Sequence, residues 1–262
     1  MKYLRICFSH KKFFLLIIAI ILALNIPVCV FADSPPVQFG FYAGGSLGYG
    51  SLQSGWGYTN ANYFNTIVPD FFELGDPIIV SRNFSIRSNG FLFAGNLGYN
   101  FYKKHSLFGL ESDFLNTNFK KQITNYIPLL PDSSPQITSS VYFIFLLNPQ
   151  IGYNYKRFTA FLDGGYAGAN THLKLSESDA NTVAQSTKWA NGWSVGAKIN
   201  YQLSSHFSLG LVYHYIKLYI TNQKTTCPQC IAGTSGRAPI VDGKIKIQTV
   251  LVGFDYYFTG RK

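Results

Sequence analysis

Three features of this 262-residue chain predict an all-β fold, an eight-stranded antiparallel transmembrane β-barrel with long extracellular loops. Apolar residues alternate with small or polar ones over about ten positions at a time, connections are short and long by turns, and charge is scarce. Only 13% of residues are Asp, Glu, Lys or Arg, where a soluble surface usually needs about a quarter. Hydrophobic residues at 47% exclude disorder. The net charge of +10 is diffuse, with basic pairs such as Lys103-Lys104 and Lys120-Lys121 but no cluster, so no nucleic-acid partner is expected.

Residues 1–32 read as a signal peptide and 33–262 as the barrel domain. Lys2, Arg5, Lys11 and Lys12 precede the apolar run Phe13 to Leu24, and Val30-Phe31-Ala32 offers small residues for cleavage before Asp33. Two alternatives are an N-terminal anchor, for which the run falls short of roughly 20 residues, and a lipoprotein at Cys29, where Val28 is an unsuitable neighbour. Loss of the four cations lowers Lys+Arg from 22 to 18 against 12 acids, a net charge of +6.

The strands follow in order. Phe39, Phe41, Ala43, Leu47 and Tyr49 oppose Gln38, Gly40, Gly44, Ser46 and Gly48 in the first; Phe91, Phe93, Leu97, Tyr99 and Phe101 oppose Ala94, Asn96, Gly98 and Asn100 in the second. The third sets Phe108, Leu110 and Phe114 against Glu111, Asp113 and Thr117, and the fourth Val141, Phe143, Phe145, Leu147, Ile151 and Tyr153 against Asn148, Gln150 and Gly152. Leu162 and Tyr166 oppose Asp163, Gly165 and Ala169, then Trp193, Val195, Ala197 and Ile199 oppose Ser194, Gly196, Lys198 and Asn200. The last two set Phe207, Leu209, Leu211, Tyr213 and Tyr215 against Ser208, Gly210 and His214, and Val250, Val252, Phe254, Tyr256 and Phe258 against Thr249, Gly253, Asp255 and Tyr257. Such period-two patterning is the strand signal.

Strands two and three, four and five, and six and seven are joined tightly, near 103–106, 154–157 and 203–206. The other connections, 51–89, 119–140, 171–188 and 218–244, are long and rich in Ser, Thr, Asn, Pro and Gly. This asymmetry is that of periplasmic turns and extracellular loops. A soluble barrel would bury its bulky face and expose Lys and Glu; here the polar face is mostly Gly, Ser, Asn, Gln and Ala, which suits a narrow lumen. Strand one must pair with strand eight, because hydrocarbon satisfies no free edge. Pro149 is expected to mark a bulge or an end to regular pairing near the turn rim. Tyr49, Tyr99, Tyr153, Trp193, Tyr201, Tyr256 and Phe258 suit aromatic girdles.

Phe41-Tyr42-Ala43-Gly44-Gly45-Ser46-Leu47-Gly48-Tyr49, Asn96-Leu97-Gly98-Tyr99-Asn100, Gly109-Leu110-Glu111-Ser112-Asp113 and Val252-Gly253-Phe254-Asp255-Tyr256-Tyr257-Phe258 resemble strands of small outer-membrane barrels. The family is the OmpA-like transmembrane and opacity-protein type, often termed porin family, and the likeness spans nearly all of the mature chain. It implies localisation in the Gram-negative cell outer membrane after cleavage near Ala32. The expected partners are the lipid bilayer and lipopolysaccharide, the outer-membrane assembly machinery, and a host or cell-surface ligand. Val212 and His214 stand where family members often carry an acid and a base, and Thr259-Gly260-Arg261-Lys262 follow the usual terminal aromatic.

The inward ionisable set is Glu111, Asp113, Asp163, Lys198, His214 and Asp255. It reads as a hydrogen-bonded structural plug, with a conducting lumen or an acid–base centre as alternatives. Cys227 and Cys230 predict a disulfide pinning the fourth loop in an oxidising compartment. Two thiols without further ligands are half a zinc site, so no metal or cofactor is expected. His206-Phe207-Ser208 has the spacing of a lipid A deacylase motif but not its context, and His172 near Ser176, Glu177 and Asp179 is a weak loop cluster. Trp56, Tyr58, Tyr63, Phe64, Phe71, Phe72 and Phe84 either form a binding surface or cap the barrel. The reading is a non-enzymatic protein with envelope-structural and surface-interaction roles, a narrow channel being the alternative and a lipid-A-modifying hydrolase a third.

Overall fold

The computed structural model of the chain describes residues 40–58, 83–103, 105–124, 136–176, 182–224 and 240–258. They form eight strands: β1 Gly40–Tyr58, β2 Asn83–Lys103, β3 Ser106–Thr124, β4 Gln136–Tyr155, β5 Phe158–Ser176, β6 Thr182–Gln202, β7 Phe207–Lys224 and β8 Ile240–Tyr257. All pairs are antiparallel and sequential, and β1 closes on β8. Following partners around the wall from Ala43 through Leu97, Ser112, Leu147, Tyr166, Trp193, Lys217 and Lys246 returns to β1 at Gln53, a stagger of ten residues between 43 and 53. A stagger of this kind tilts the strands by about 35–45° and leaves an interior that side chains can fill.

The strands are longer than the alternation predicts, so the connections shrink to 59–82, 125–135, 177–181 and 225–239. The cause is a change of hydrophobic phase partway along each strand. Toward the short turns, bulky residues such as Phe41, Phe93, Leu97, Leu162 and Phe254 face outward and are exposed. Toward the loop end, the outward positions become Ser51, Asn89, Asn116, Ser140, Asn170, Thr187, Lys217 and Gln248, one per strand. The inward positions there are apolar instead: Leu52, Trp56, Ile86, Phe119, Ile216 and Ile247 belong to one buried cluster. Each such side chain contributes about 1.5–3 kcal/mol by leaving water. The turn-end tier is thus patterned for lipid outside and polar contacts inside, and the loop-end tier the reverse.

Two local features shape the wall. At the middle of β4 the pairing with β3 shifts between Asn116 and Phe119, and that with β5 shifts between Val141 and Phe143. This bulge turns Tyr142 and Phe143 both outward and Val141 inward, against the outward placement predicted for Val141. Pro149, in contrast, lies outward within β4 and causes no bulge. Its ladder to β5 lapses between Leu147↔Tyr166 and Gln150↔Asp163 with the register unchanged, since proline has no N–H to donate. A further shift in β7, between Ile220 and Gln223, contains Asn222 at φ 51°, where its backbone N–H donates to Asp242 Oδ1 at 2.7 Å.

Candidate functional site

The turn-end lumen holds the six ionisable residues on inward positions of β3, β5, β6, β7 and β8. Lys198 stands at the centre. Its Nζ lies 2.8 Å from Glu111 Oε2 and 2.9 Å from Asp255 Oδ2, and 5.2 Å from the centroid of the Tyr42 ring. Other donors complete the carboxylates: Tyr42 donates its hydroxyl to Glu111 at 2.5 Å, Asn96 its amide to Asp255 Oδ1 at 2.8 Å, and Asn200 to Asp255 Oδ2 at 3.0 Å. Gln150 Nε2 then reaches Tyr42 Oη at 2.8 Å and Asn100 Oδ1 at 2.7 Å. Tyr42 lies flat against Gly98, where any Cβ would overlap its ring.

A second group adjoins the first. Asn148 donates to Asp163 Oδ1 at 2.9 Å and accepts from Ser194 at 2.7 Å. His214 is buried with Nε2 3.7 Å from Asp163 Oδ1, beyond hydrogen-bonding distance, and Asp113 Oδ2 has no hydrogen-bond partner among the described residues. Between these groups is a cavity of about 20 Å³ lined by Asp113, Lys198, His214 and Asp255, room for about one water. All eight strands supply at least one member of the two groups. Four carboxyl groups face one ammonium, and such an arrangement persists only where hydrogen bonds satisfy the oxygens. The geometry is a cross-brace of the wall. Among the described residues, no group of three or more His, Cys, Asp or Glu is placed to hold a metal.

Tyr42 is the member that sequence reasoning passes over. It sits between Phe41 and Ala43 in an aromatic stretch, and only its parity with Gly44 marks it as inward. The lumen base also comes from β6 as Lys198, whereas β7 offers Val212 and His214.

The remaining candidates do not assemble. His206 hydrogen-bonds Ser205 at 2.9 Å and stacks on Tyr256, while Ser208 is buried inside the barrel. His172 Nδ1 lies 2.9 Å from Thr187 Oγ1. Cys227, Cys230, Glu177, Asp179, Tyr63, Phe64, Phe71, Phe72 and the predicted signal segment lie outside the described residues, as do the side chains of Tyr58, Phe84 and Ser176.

A profile of the outer membrane protein beta-barrel domain family matches residues 16–258. No curated protein matches the chain in sequence. Among solved structures, the outer membrane protease OmpT from Escherichia coli superposes with a TM-score of 0.51 at 9% identity, covering 87% of this chain and 99% of that one. OprG from Pseudomonas aeruginosa gives 0.47 at 12% identity, covering 86% and 98%. Ail, the attachment invasion locus protein of Yersinia pestis, gives 0.37 at 10%, covering 83% and 99%. At such identities the likeness concerns fold alone. With a closed eight-stranded wall, an outward apolar band and a family profile over most of its length, the chain belongs to the outer membrane protein beta-barrel domain family and is an outer-membrane protein.

Proposed function

We propose that this is a non-enzymatic barrel that braces the cell envelope and presents its loop-end connections to surface partners, in an adhesin-like role. The carrying observation is the loop-end tier: a closed, polar-surfaced wall packed with Leu52, Phe119, Ile216 and Ile247, from which three connections of 11 residues or more, 59–82, 125–135 and 225–239, and the short 177–181 leave. A rigid scaffold under variable connections is the usual arrangement of a binding surface. Replacing 59–82 and 225–239 with short Gly/Ser links is expected to abolish adhesion of expressing cells to host-cell monolayers without changing the barrel's heat-modifiable mobility. Full adhesion by the trimmed barrel would overturn the role. Cleavage after Ala32, residence beside lipopolysaccharide and folding by the assembly machinery belong to the same reading, and a mature chain beginning at Asp33 is the checkable part.

The packed apolar tier also bears on transport, because a water-filled path would have to cross it. Planar bilayers containing the refolded protein are expected to show no conductance steps above background; reproducible steps would favour the channel reading. Hydrolysis of lipid A is expected to be absent, with lipid A masses unchanged on expression. Cys227 and Cys230 are expected to resist alkylation until reduced, and two modified thiols in unreduced protein would remove the loop disulfide.

A further inference from the structure

The outward face of β3, β4 and β5 carries a groove, and the inference drawn from it rests on the proposed residence beside lipopolysaccharide. Above the bulge, cross-strand pairing sets Lys120, Ser140 and His172 side by side in one row, and Gln122, Thr138 and Lys174 in the next. Neighbours so paired have Cβ atoms about 4.5–5.5 Å apart. The concavity has a volume of about 260 Å³. Ser140 forms its floor, 1% exposed, and its hydroxyl has no hydrogen-bond partner among the described residues. No Asp or Glu lies on the described outward faces of these three strands, so the groove is cationic.

Its position matters as much as its charge. Directly below it, toward the turn end, lies an aromatic raft in which Phe114 contacts Phe143 with centroids 6.4 Å apart and Phe143 contacts Trp189 at 6.4 Å. Trp189 lies over Gly168, whose missing side chain leaves space for the indole, and donates Nε1–H to Tyr166 Oη at 3.0 Å. This is the level at which aromatic residues border hydrocarbon. The bulge is what turns Ser140 and Thr138 outward over that border.

We infer that this groove binds the phosphate of an outer-leaflet lipid headgroup, with Lys120 and Lys174 supplying charge, Ser140 a hydroxyl donor, and Phe143 and Trp189 a platform for the acyl chains. The occupant is a phosphorylated lipid rather than a free anion, because the cationic rows and the apolar raft adjoin.

The test measures binding of diphosphoryl lipid A to the refolded full barrel in nanodiscs of neutral phospholipid. Lys120→Gln with Lys174→Gln is expected to weaken binding about 25-fold, two surface cations at roughly fivefold each. Lys244→Gln with Lys246→Gln, on β8, serves as the control of equal charge change and is expected to have little effect. Lys120→Arg with Lys174→Arg is expected to retain binding and guards against a folding defect, and dephosphorylated lipid A is expected to bind as poorly as the Gln variant. Equal losses at both lysine pairs would reduce the effect to general surface charge and overturn the site. Displacement of the lipid by millimolar inorganic phosphate would assign the groove to free anions and overturn the lipid commitment.

Discussion

Replacing Lys198 with methionine is expected to lower the unfolding free energy by about 3–5 kcal/mol, the cost of breaking a buried ion pair from one side. The ammonium bridges Glu111 on β3 and Asp255 on β8 at 2.8 and 2.9 Å. Without it, two buried carboxylates would remain, held by the neutral donors Tyr42, Asn96 and Asn200. Methionine keeps the length and apolar stem of lysine, so the loss isolates the charge. The measurement is urea unfolding of the refolded barrel in phospholipid vesicles, followed by tryptophan fluorescence. The triple change K198M with E111Q and D255N should recover most of the loss, since the whole ionic set can be neutralised at little net cost. A single variant within 1 kcal/mol of the parent would show that the hydrogen-bonded amides brace the wall without the cation.

Phe119→Ala should cost about 3–5 kcal/mol for a different reason. Phe119 is buried in β3 next to the bulge, and its ring covers Gly50 of β1 and Gly90 of β2. A Cβ on Gly50 would come within 2.7 Å of that ring. The hole left by alanine is therefore floored by glycines that have no side chain to move into it, and packing relaxes least in such places. Phe119→Leu should restore roughly half of the loss in the same vesicle assay. If alanine proved nearly neutral, the loop-end tier would have to repack as a unit, and its role as a stiff support would weaken.

Strand count, closure and the inward identity of Glu111, Asp113, Asp163, Lys198, His214 and Asp255 can be read from period-two alternation, because the pleat assigns every second residue to one face. Tyr42 escapes the same logic only because an aromatic ring is taken as apolar, while in the lumen its hydroxyl is what counts. The bulge is invisible to strict alternation, since Tyr142 and Phe143 face the same way. The loop-end tier did leave a trace: Ile245 and Ile247 alternate with Lys244 and Lys246 on the parity opposite to Val250, Val252 and Phe254. A parity change in mid-strand imitates the end of a strand, so the upper halves read as polar loops. The pattern of a membrane barrel and that of a soluble barrel each govern one half of the same wall.

That division also fixes a length. Strands of up to 21 residues, rising about 3.3 Å per residue and tilted by about 40°, stand roughly 50 Å tall. An apolar belt is only about 25 Å tall. The difference, about 25 Å, is a stalk without a linker: the barrel lifts its own connections clear of the leaflet surface, past the first sugars of any lipid-anchored glycan. Reach of this kind is set by strand length and costs no chain entropy on contact, so shortening β5 and β6 in register should sink a loop into the glycan layer without altering a residue of it.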